Sequence, residues 1–373
     1  MDELGNVTVP DDEVTFASAP SRARRIARPG SVIVSTVRTY LRAVASVPHS
    51  KSPLVFSTGF AVLEASQDVD PRYLAYYCRC TPFIDEIVAR SVGISYPAIN
   101  SAEIGNISIL LPPPADQQRI ARFLDAETNR IDALRMRLAK MRELLALRRE
   151  RIVQTSLGLE DGFPVARTPL KYLAAEITVG IVITPAKWYV SEGGTPALRG
   201  VNVKPGNVTT NDIVHISDEG HAENQKSRLR EGDVVVVRTG QAGAAAVVPR
   251  EFDGANCIDL ILIRPGDKLS PRYVEYVLNS EYAREHVSQH SVGSIQAHFN
   301  IGAMKQIPFP TLTRSEQDRV VQGLDEKVGD LDKLSDLLRA QETLLAERRQ
   351  ALITAAVTGQ IDVSTASGRG IED

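Results

Sequence analysis

The sequence predicts an α+β protein, in which two mixed α/β domains are separated by two long antiparallel coiled-coil helices. Three observations predict this class: an internal repeat with an offset of 200 residues, two long segments with helical apolar spacing, and strand-like runs between them. The predicted order is a first domain over 1–112, a helix over 113–158, a second domain over 159–310, a second helix over 311–359 and a tail over 360–373.

The repeat is visible as identical or similar residues 200 positions apart. DPRYLAYY at 70–77 recurs as SPRYVEYV at 270–277, and the Ser-Val-Gly at 91–93 recurs at 291–293. Further residues have an identical counterpart 200 positions later: Asn100, Gln117, Arg119, Leu124, Asp125, Asp132, Leu134, Leu138, Leu145, Arg148 and Arg149. A shared offset over this length indicates a duplicated unit with a pseudo-two-fold relation.

Each copy begins with a strand-rich part. Strand-like runs occur at 32–37, 234–239 and 259–264, among Gly and Pro turns and short helical stretches. The two parts end at the proline clusters Pro112–Pro114 and Pro308–Pro310. These features predict the two mixed α/β domains.

Each copy ends with a long helix, predicted at about 115–155 and 315–357. The first lacks internal Pro and Gly, and the second has only Gly323 and Gly329. Apolar residues alternate at spacings of three and four, which favours a coiled-coil seam; the alternative is two amphipathic helices that lie on their own domains. Because the first helix enters the second domain and the second helix leaves it, paired helices must be antiparallel.

The helical segments carry a family resemblance. PPPADQQRIARFLDAETNRIDAL with LLALRRERIVQTSLG, and SEQDRVVQGLDEKVGDLD with LLAERRQALITAAVTGQIDV, resemble the conserved regions of type I restriction-modification specificity (S) subunits. The resemblance implies a sequence-specific DNA-binding subunit whose two target-recognition domains each read one half of a bipartite double-stranded site. It also implies that the helices set the spacer and dock two modification (methyltransferase) subunits, with restriction subunits joining through the complex.

Against this family pattern the first domain is short. Met1 corresponds to about position 201, so the first domain is expected to lack a counterpart of roughly the 37 residues at 163–200.

Composition favours a cytoplasmic protein without a membrane segment or a cofactor. There is no charged-then-apolar leader and no membrane-length apolar run, and the three cysteines and six histidines form no zinc-ligand pattern. No phosphate-binding Gly-x-x-x-x-Gly-Lys-Ser/Thr loop and no methyltransferase motif is present, which predicts a non-catalytic subunit. Although the net charge is −3, residues 113–158 carry ten basic and six acidic side chains, so DNA binding is compatible with the overall balance.

Three regions are candidates for DNA contact. Basic residues precede the first long strand run of each copy and suit phosphate contacts; the alternative is a solvated loop. Side chains just after that run can reach base edges, and the alternative is an ordinary tight turn. Residues between the Ser-Val-Gly sequence and the following Asn differ between the copies. Recognition of two different half-sites would produce this difference, and so would ordinary sequence drift. In that order the candidates are Arg24, Arg28, Lys226, Arg228 and Arg230; Arg38, Thr39, Tyr40, Arg238, Thr239 and Gln241; and Tyr96, Gln296 and His298.

Two other functions remain open at this stage. The chain could be a coiled-coil adaptor that binds only proteins, or a stand-alone DNA-binding repressor without restriction partners.

Overall fold

The computed structural model describes residues 5–9, 13–160, 165–289 and 299–363. The chain divides into two compact units, which are described separately. Unit 1 comprises residues 1–141 and 338–373, and unit 2 comprises 142–337. Each long helix therefore contributes residues to both units.

Unit 1 contains two small antiparallel sheets and three short helices. The elements are β1 (Ala23–Ala27), β2 (Val32–Ser35), β3 (Val44–Ser46), β4 (Leu54–Ser57), β5 (Phe60–Leu63), α1 (Pro71–Tyr77), α2 (Thr81–Arg90) and α3 (Ser101–Gly105). Strand β1 pairs with β4, and β2 lies between β3 and β5. All four residues of β2 are buried, because the strand is central in its sheet and α1 packs on it.

The long helix α4 (Pro114–Leu157) follows, and the strands of unit 2 come after it. The strands are β6 (Arg167–Pro169), β7 (Glu176–Val179), β8 (Tyr189–Val190), β9 (Thr195–Leu198), β10 (Val203–Lys204), β11 (Asn207–Val208), β12 (Val214–Ile216), β13 (Val234–Val237), β14 (Ala245–Val247), β15 (Asn256–Cys257), β16 (Leu260–Arg264) and β17 (Pro308–Pro310). The helices are α5 (Asp218–Glu223), α6 (Pro271–Asn279), α7 (Glu281–Gln289), α8 (Ile301–Gln306) and α9 (Arg314–Val357).

The principal sheet of unit 2 repeats that of unit 1 and extends it. Its order is β14-β13-β16-β7, so β14-β13-β16 corresponds to β3-β2-β5 and β7 is an additional edge strand. A second four-stranded sheet has the order β15-β9-β12-β8, and two further pairs join β10 to β11 and β17 to β6.

The repeat extends to individual hydrogen bonds. The Tyr73 hydroxyl donates to the Leu110 carbonyl at 2.7 Å, and the Tyr273 hydroxyl donates to the Pro310 carbonyl at 3.0 Å. The hydroxyls of Tyr76 and Tyr276 donate to Asp125 and Asp325 at 2.8 and 2.7 Å. Burial raises the pKa of Tyr76 to about 12, so this hydroxyl remains a donor at neutral pH. The duplicated units therefore conserve the contacts that attach each domain to its helix.

The two long helices exchange roles between the units. In unit 1, Asp132 of α4 bonds to Arg349 of α9, with 3.1 Å from Nε to Oδ2. In unit 2, Arg149 of α4 bonds to Asp332 of α9, with 2.9 Å from Nε to Oδ1. Asp132 and Asp332 are equivalent in the repeat, and so are Arg149 and Arg349. The same ion pair therefore forms in each unit with the two helices interchanged, as a pseudo-two-fold duplication requires.

These features confirm the predicted α+β class and the two long helices. In the described ranges, no helix is long and apolar enough to cross a membrane. The domain limits at 112 and 310 stay predictions, because the division into units falls within the helices.

Candidate nucleic-acid interface

In unit 1, two loops meet where β2 ends. The Ile99 amide donates to the Thr36 carbonyl at 2.9 Å, and the Arg38 amide donates to the Pro97 carbonyl at 2.8 Å. These bonds bring residues 37–42 beside residues 92–98. The structure therefore places two of the three predicted contact regions side by side.

The centre of this surface is a stacked pair. The Arg38 guanidinium lies 4.7 Å from the centroid of the exposed Tyr96 ring. Arg38 has a φ of +50° and Arg42 has a φ of +54°, a left-handed conformation that non-glycine residues seldom adopt. Strain of this kind is concentrated at functional sites, and here it turns the stacked arginine outward from the strand end.

The neighbours of Arg38 differ in accessibility. Tyr40 is exposed, whereas Thr39 is buried and its hydroxyl lies 2.8 Å from that of Ser91. Thr39 therefore fastens the first loop to the end of α2, and in this conformation it offers no group to a ligand.

The basic residues before β2 lie on and next to β1. Arg24 is exposed and its guanidinium lies 5.0 Å from the Phe16 ring centroid. Arg28 is exposed and 3.5 Å from Glu64, which is a weak surface contact. Both remain accessible for phosphate contacts.

In unit 2, the side chain that follows β13 is held by an acid. Arg238 Nη1 donates to Asp259 Oδ1 at 2.7 Å, and the Arg238 side chain is mostly buried. Asp259 has a φ of +50°, so backbone strain accompanies this pair as well. Sequence reasoning missed Asp259, since nothing local marks an acid that is 21 positions away from its partner.

The structure also changes the alignment of the two loops. The Phe299 amide donates to the Arg238 carbonyl at 2.9 Å, as the Ile99 amide does to Thr36. Val32 and Val234 occupy the same place in the two sheets, which is an offset of 202 residues. Arg238 is therefore the structural counterpart of Thr36, although the Arg-Thr sequence at 38–39 recurs at 238–239.

The loop after Arg238 forms part of the wall of a cavity of about 620 Å³ within unit 2. Gln241 and Gly243 line it, together with residues of α6 and the two long helices. Thr239 and Gln241 are exposed, and Gly240 and Gly243 have φ values of +85° and +90° that favour glycine. The glycines thus permit the turn that exposes Thr239 and Gln241.

The basic candidates of unit 2 lie in the turn before β13. The side chains of Lys226, Arg228 and Arg230 are exposed, while the Arg228 carbonyl accepts a bond from Arg264 at 3.0 Å. This backbone anchoring leaves the cationic groups at the surface, where phosphate contacts are made. The candidates Gln296 and His298 lie outside the described residues.

Comparison with known proteins shows which proteins this chain resembles. A profile described as "Type I restriction modification DNA specificity domain" matches residues 20–141. The StySPI specificity subunit of Salmonella potsdam is 26% identical over 182 residues, which are 46% of this chain and 38% of that protein. A solved chain from work on complex assembly and conformational transition of the type I restriction-modification system covers 97% of this chain and 90% of its own length, with 25% identity and a TM-score of 0.76. Residues 20–141 therefore carry a type I restriction-modification DNA specificity domain, and the chain is similar over most of its length to type I specificity subunits.

A more distant relative extends the similarity over most of the chain. The MjaVIII specificity subunit of Methanocaldococcus jannaschii is 18% identical over 326 residues, which are 84% of this chain and 75% of that protein. The StySPI alignment spans only 38% of that relative's length. These similarities support the prediction of a type I specificity subunit, and specificity subunits are non-catalytic components of their complexes. Among the residues that the structure describes, no group of three or more His, Cys, Asp or Glu side chains could hold a metal ion.

Proposed function

We propose that this chain is a specificity subunit that reads a bipartite double-stranded DNA site, with one half-site for each domain. The observation that carries this proposal is the duplicated architecture. The strand order β3-β2-β5 recurs as β14-β13-β16, and an arginine lies shortly after the central strand of each sheet. The groups at these surfaces differ, as two half-sites of different sequence require. Exposed cations nearby, such as Arg24 and Arg228, supply phosphate contacts that set position without reading sequence.

The long helices support a spacer role and a docking role. Each has 44 residues, or about 66 Å at 1.5 Å per residue. Several leucines on α4 and α9 are exposed, among them Leu144 and Leu344 at equivalent positions. Two modification subunits docking on the two pseudo-equivalent helices would use such side chains, and restriction subunits would join through them.

The direct test is selection of DNA by the full chain assembled with its modification subunits. From a random pool, we expect two specified blocks separated by an unspecified gap. A single continuous block, or no enrichment, would contradict the bipartite proposal.

Variants then assign the blocks to the units. Arg38→Ala is expected to relax one block, and Arg238→Ala and Gln241→Ala the other, each by about 1–3 kcal/mol of discrimination. Arg228→Ala is the matched control, because loss of a phosphate contact weakens binding to all sequences alike. If all four variants lowered affinity uniformly, the base-contact assignment would be wrong.

The spacer role has its own test. Insertion of one heptad into each helix at facing positions preserves the seam and adds about 10 Å, equivalent to roughly three base pairs. We expect selection from a pool with variable gaps to return a longer gap between unchanged blocks. An unchanged gap would contradict the spacer role.

A further inference from the structure

A short apolar loop tip stands beside the Arg238–Asp259 pair in unit 2. It consists of Val182 and Ile183, whose exposed fractions are 49% and 79%. Two consecutive β-branched aliphatic side chains at this exposure cost solvation free energy in the free protein. No feature of the sequence singled them out.

The residue before this tip is held by two backbone bonds. The Ile181 amide donates to the Cys257 carbonyl at 2.9 Å, and the Asp259 amide donates to the Ile181 carbonyl at 3.0 Å. A Cβ on Gly180 would lie 2.4 Å from the Cys257 carbonyl oxygen, so only glycine allows this close approach. Thr184, on the far side, has a φ of +45°, which a β-branched residue rarely adopts. The tip therefore starts from an anchored residue and is exposed.

The surroundings of the tip are those of the proposed DNA interface. Ile181 bonds to the backbone of Asp259, whose carboxylate holds Arg238. Further along the chain, Lys187 Nζ lies 3.9 Å from the centroid of the Trp188 ring. The tip thus lies next to the Arg238–Asp259 pair in space, and the lysine follows it closely in the sequence. An apolar tip in these surroundings suits a polar ligand that presents a local apolar group.

Unit 1 combines the same two chemistries at the end of the equivalent strand, by different means. There the exposed Val92 and Ile94 belong to the loop that also presents Tyr96 to Arg38. Apolar side chains next to an arginine are thus present in both units, although the segments that supply them are unrelated.

We propose that Val182 and Ile183 are specificity-determining residues, which contact thymine 5-methyl groups in the major groove at the surface beside the Arg238–Asp259 pair. The thymine methyl is the apolar group on the major-groove edge of DNA, so it is the feature that an aliphatic tip recognises there. This inference rests on the proposed DNA-reading function of unit 2.

The test uses the full chain assembled with its modification subunits and the DNA site selected by that complex. The dissociation constant is measured for the thymine site and for the same site with deoxyuridine in the half-site of unit 2. For the wild type, we expect each contacted thymine to lose about fourfold in affinity, the value of one buried methyl group. The double variant V182S/I183S is expected to bind the thymine site correspondingly less tightly and to show no further loss with deoxyuridine.

The matched control is V201S, since Val201 is a 56% exposed aliphatic residue of the same unit, in the turn Gly200–Asn202. We expect V201S to keep the wild-type response to deoxyuridine, and all variants to keep the wild-type thermal midpoint because the side chains are exposed.

The inference is overturned if wild type binds both DNAs equally, if the half-site of unit 2 contains no thymine, or if V182S/I183S behaves like V201S. These results are distinct from failure of the proposed function, in which the complex selects no sequence at all.

Discussion

The contact between each domain and its long helix provides a quantitative test of the fold. In unit 2, the side chain of Gln317 is buried near the start of α9. Its Oε1 accepts the Ser270 amide at 2.8 Å, and its Nε2 donates to the carbonyls of Lys268 and Leu312, both at 2.9 Å. One side chain therefore satisfies three backbone groups that join the helix to the loop before α6.

Gln317→Met removes these bonds at nearly constant volume. The Ser270 amide lies on a buried residue and loses its partner, which costs about 1–3 kcal/mol. The Lys268 carbonyl is on an exposed residue, where water replaces the amide, and the Leu312 carbonyl is on a half-buried one. We therefore expect unit 2 to lose about 3 kcal/mol, a large part of the roughly 5–15 kcal/mol that stabilises a typical domain.

The repeat supplies the matched variant. In unit 1, Gln117 accepts the Asp70 amide at 2.9 Å and donates to the carbonyls of Asp68 and Pro112 at 3.0 and 2.8 Å. Because Asp70 is only half-buried, Gln117→Met is expected to cost less, about 2 kcal/mol.

Native-state hydrogen exchange measures both effects, because it reports the opening of each unit through its own amides. Each variant is expected to lower protection in its own unit. If Gln317→Met left the free energy of opening in unit 2 within roughly 0.5 kcal/mol of wild type, the reasoning from unsatisfied backbone groups would be wrong.

Three further predictions concern stability and reactivity. The exposed side-chain fraction is 17% for Asp132 and 53% for Asp332. Asp132→Ala should therefore lower the free energy of unfolding in denaturant by about 3 kcal/mol, and Asp332→Ala by at most about 1 kcal/mol. Equal losses would contradict the role given to burial. Burial raises the pKa of Asp233, so wild type loses stability as the pH rises from the ordinary aspartate range through the raised folded-state pKa. The stability of Asp233→Asn relative to wild type should therefore increase as the pH rises above about 4, and a difference independent of pH would refute this. The thiols of Cys78, Cys80 and Cys257 are buried, and burial raises the pKa of Cys257 to about 12. A thiol reagent should therefore label the native protein only as fast as local or global unfolding exposes these thiols. Prompt labelling at neutral pH would contradict this.

The sequence predicted the long helices closely, because their signal is local and repeated. The observed limits are Pro114–Leu157 and Arg314–Val357, within two residues of those expected. Gly323 and Gly329 remain inside α9, since the packing of the helix outweighs a cost of about 1 kcal/mol for each glycine. The strand run at 32–37 ends earlier, at Ser35, where the chain turns to bond with the loop before α3.

The sequence nominated residues for the candidate site but not the contacts between them. Arg38 and Tyr96 are 58 positions apart in the sequence, and no pattern relates them; only the bonds between the two loops bring them together. Burial of Thr39 and the holding of Arg238 by Asp259 are likewise tertiary effects. The exposed tip at 182–183 has the composition of a buried strand, so its exposure could not be inferred from its residues.

The alignment of the two arginine loops shows why sequence identity misled at this point. Successive side chains of a strand alternate between the two faces of a sheet, so a shift of two residues leaves the inward and outward pattern unchanged. The pairing of β2 with β5 and of β13 with β16 requires such a shift, because Val32 and Val234 hold the same place while Leu63 and Ile263 also correspond. By this register Thr36 corresponds to Arg238, and by the offset of β5 and β16 Gly59 corresponds to Asp259. The ion pair that holds Arg238 therefore has no counterpart at those two positions in unit 1, where the arginine stands two residues further along and stacks on Tyr96 instead. Two domains that share a three-stranded sheet order thus present arginines from different positions and with different supports, as the proposed reading of two different half-sites requires.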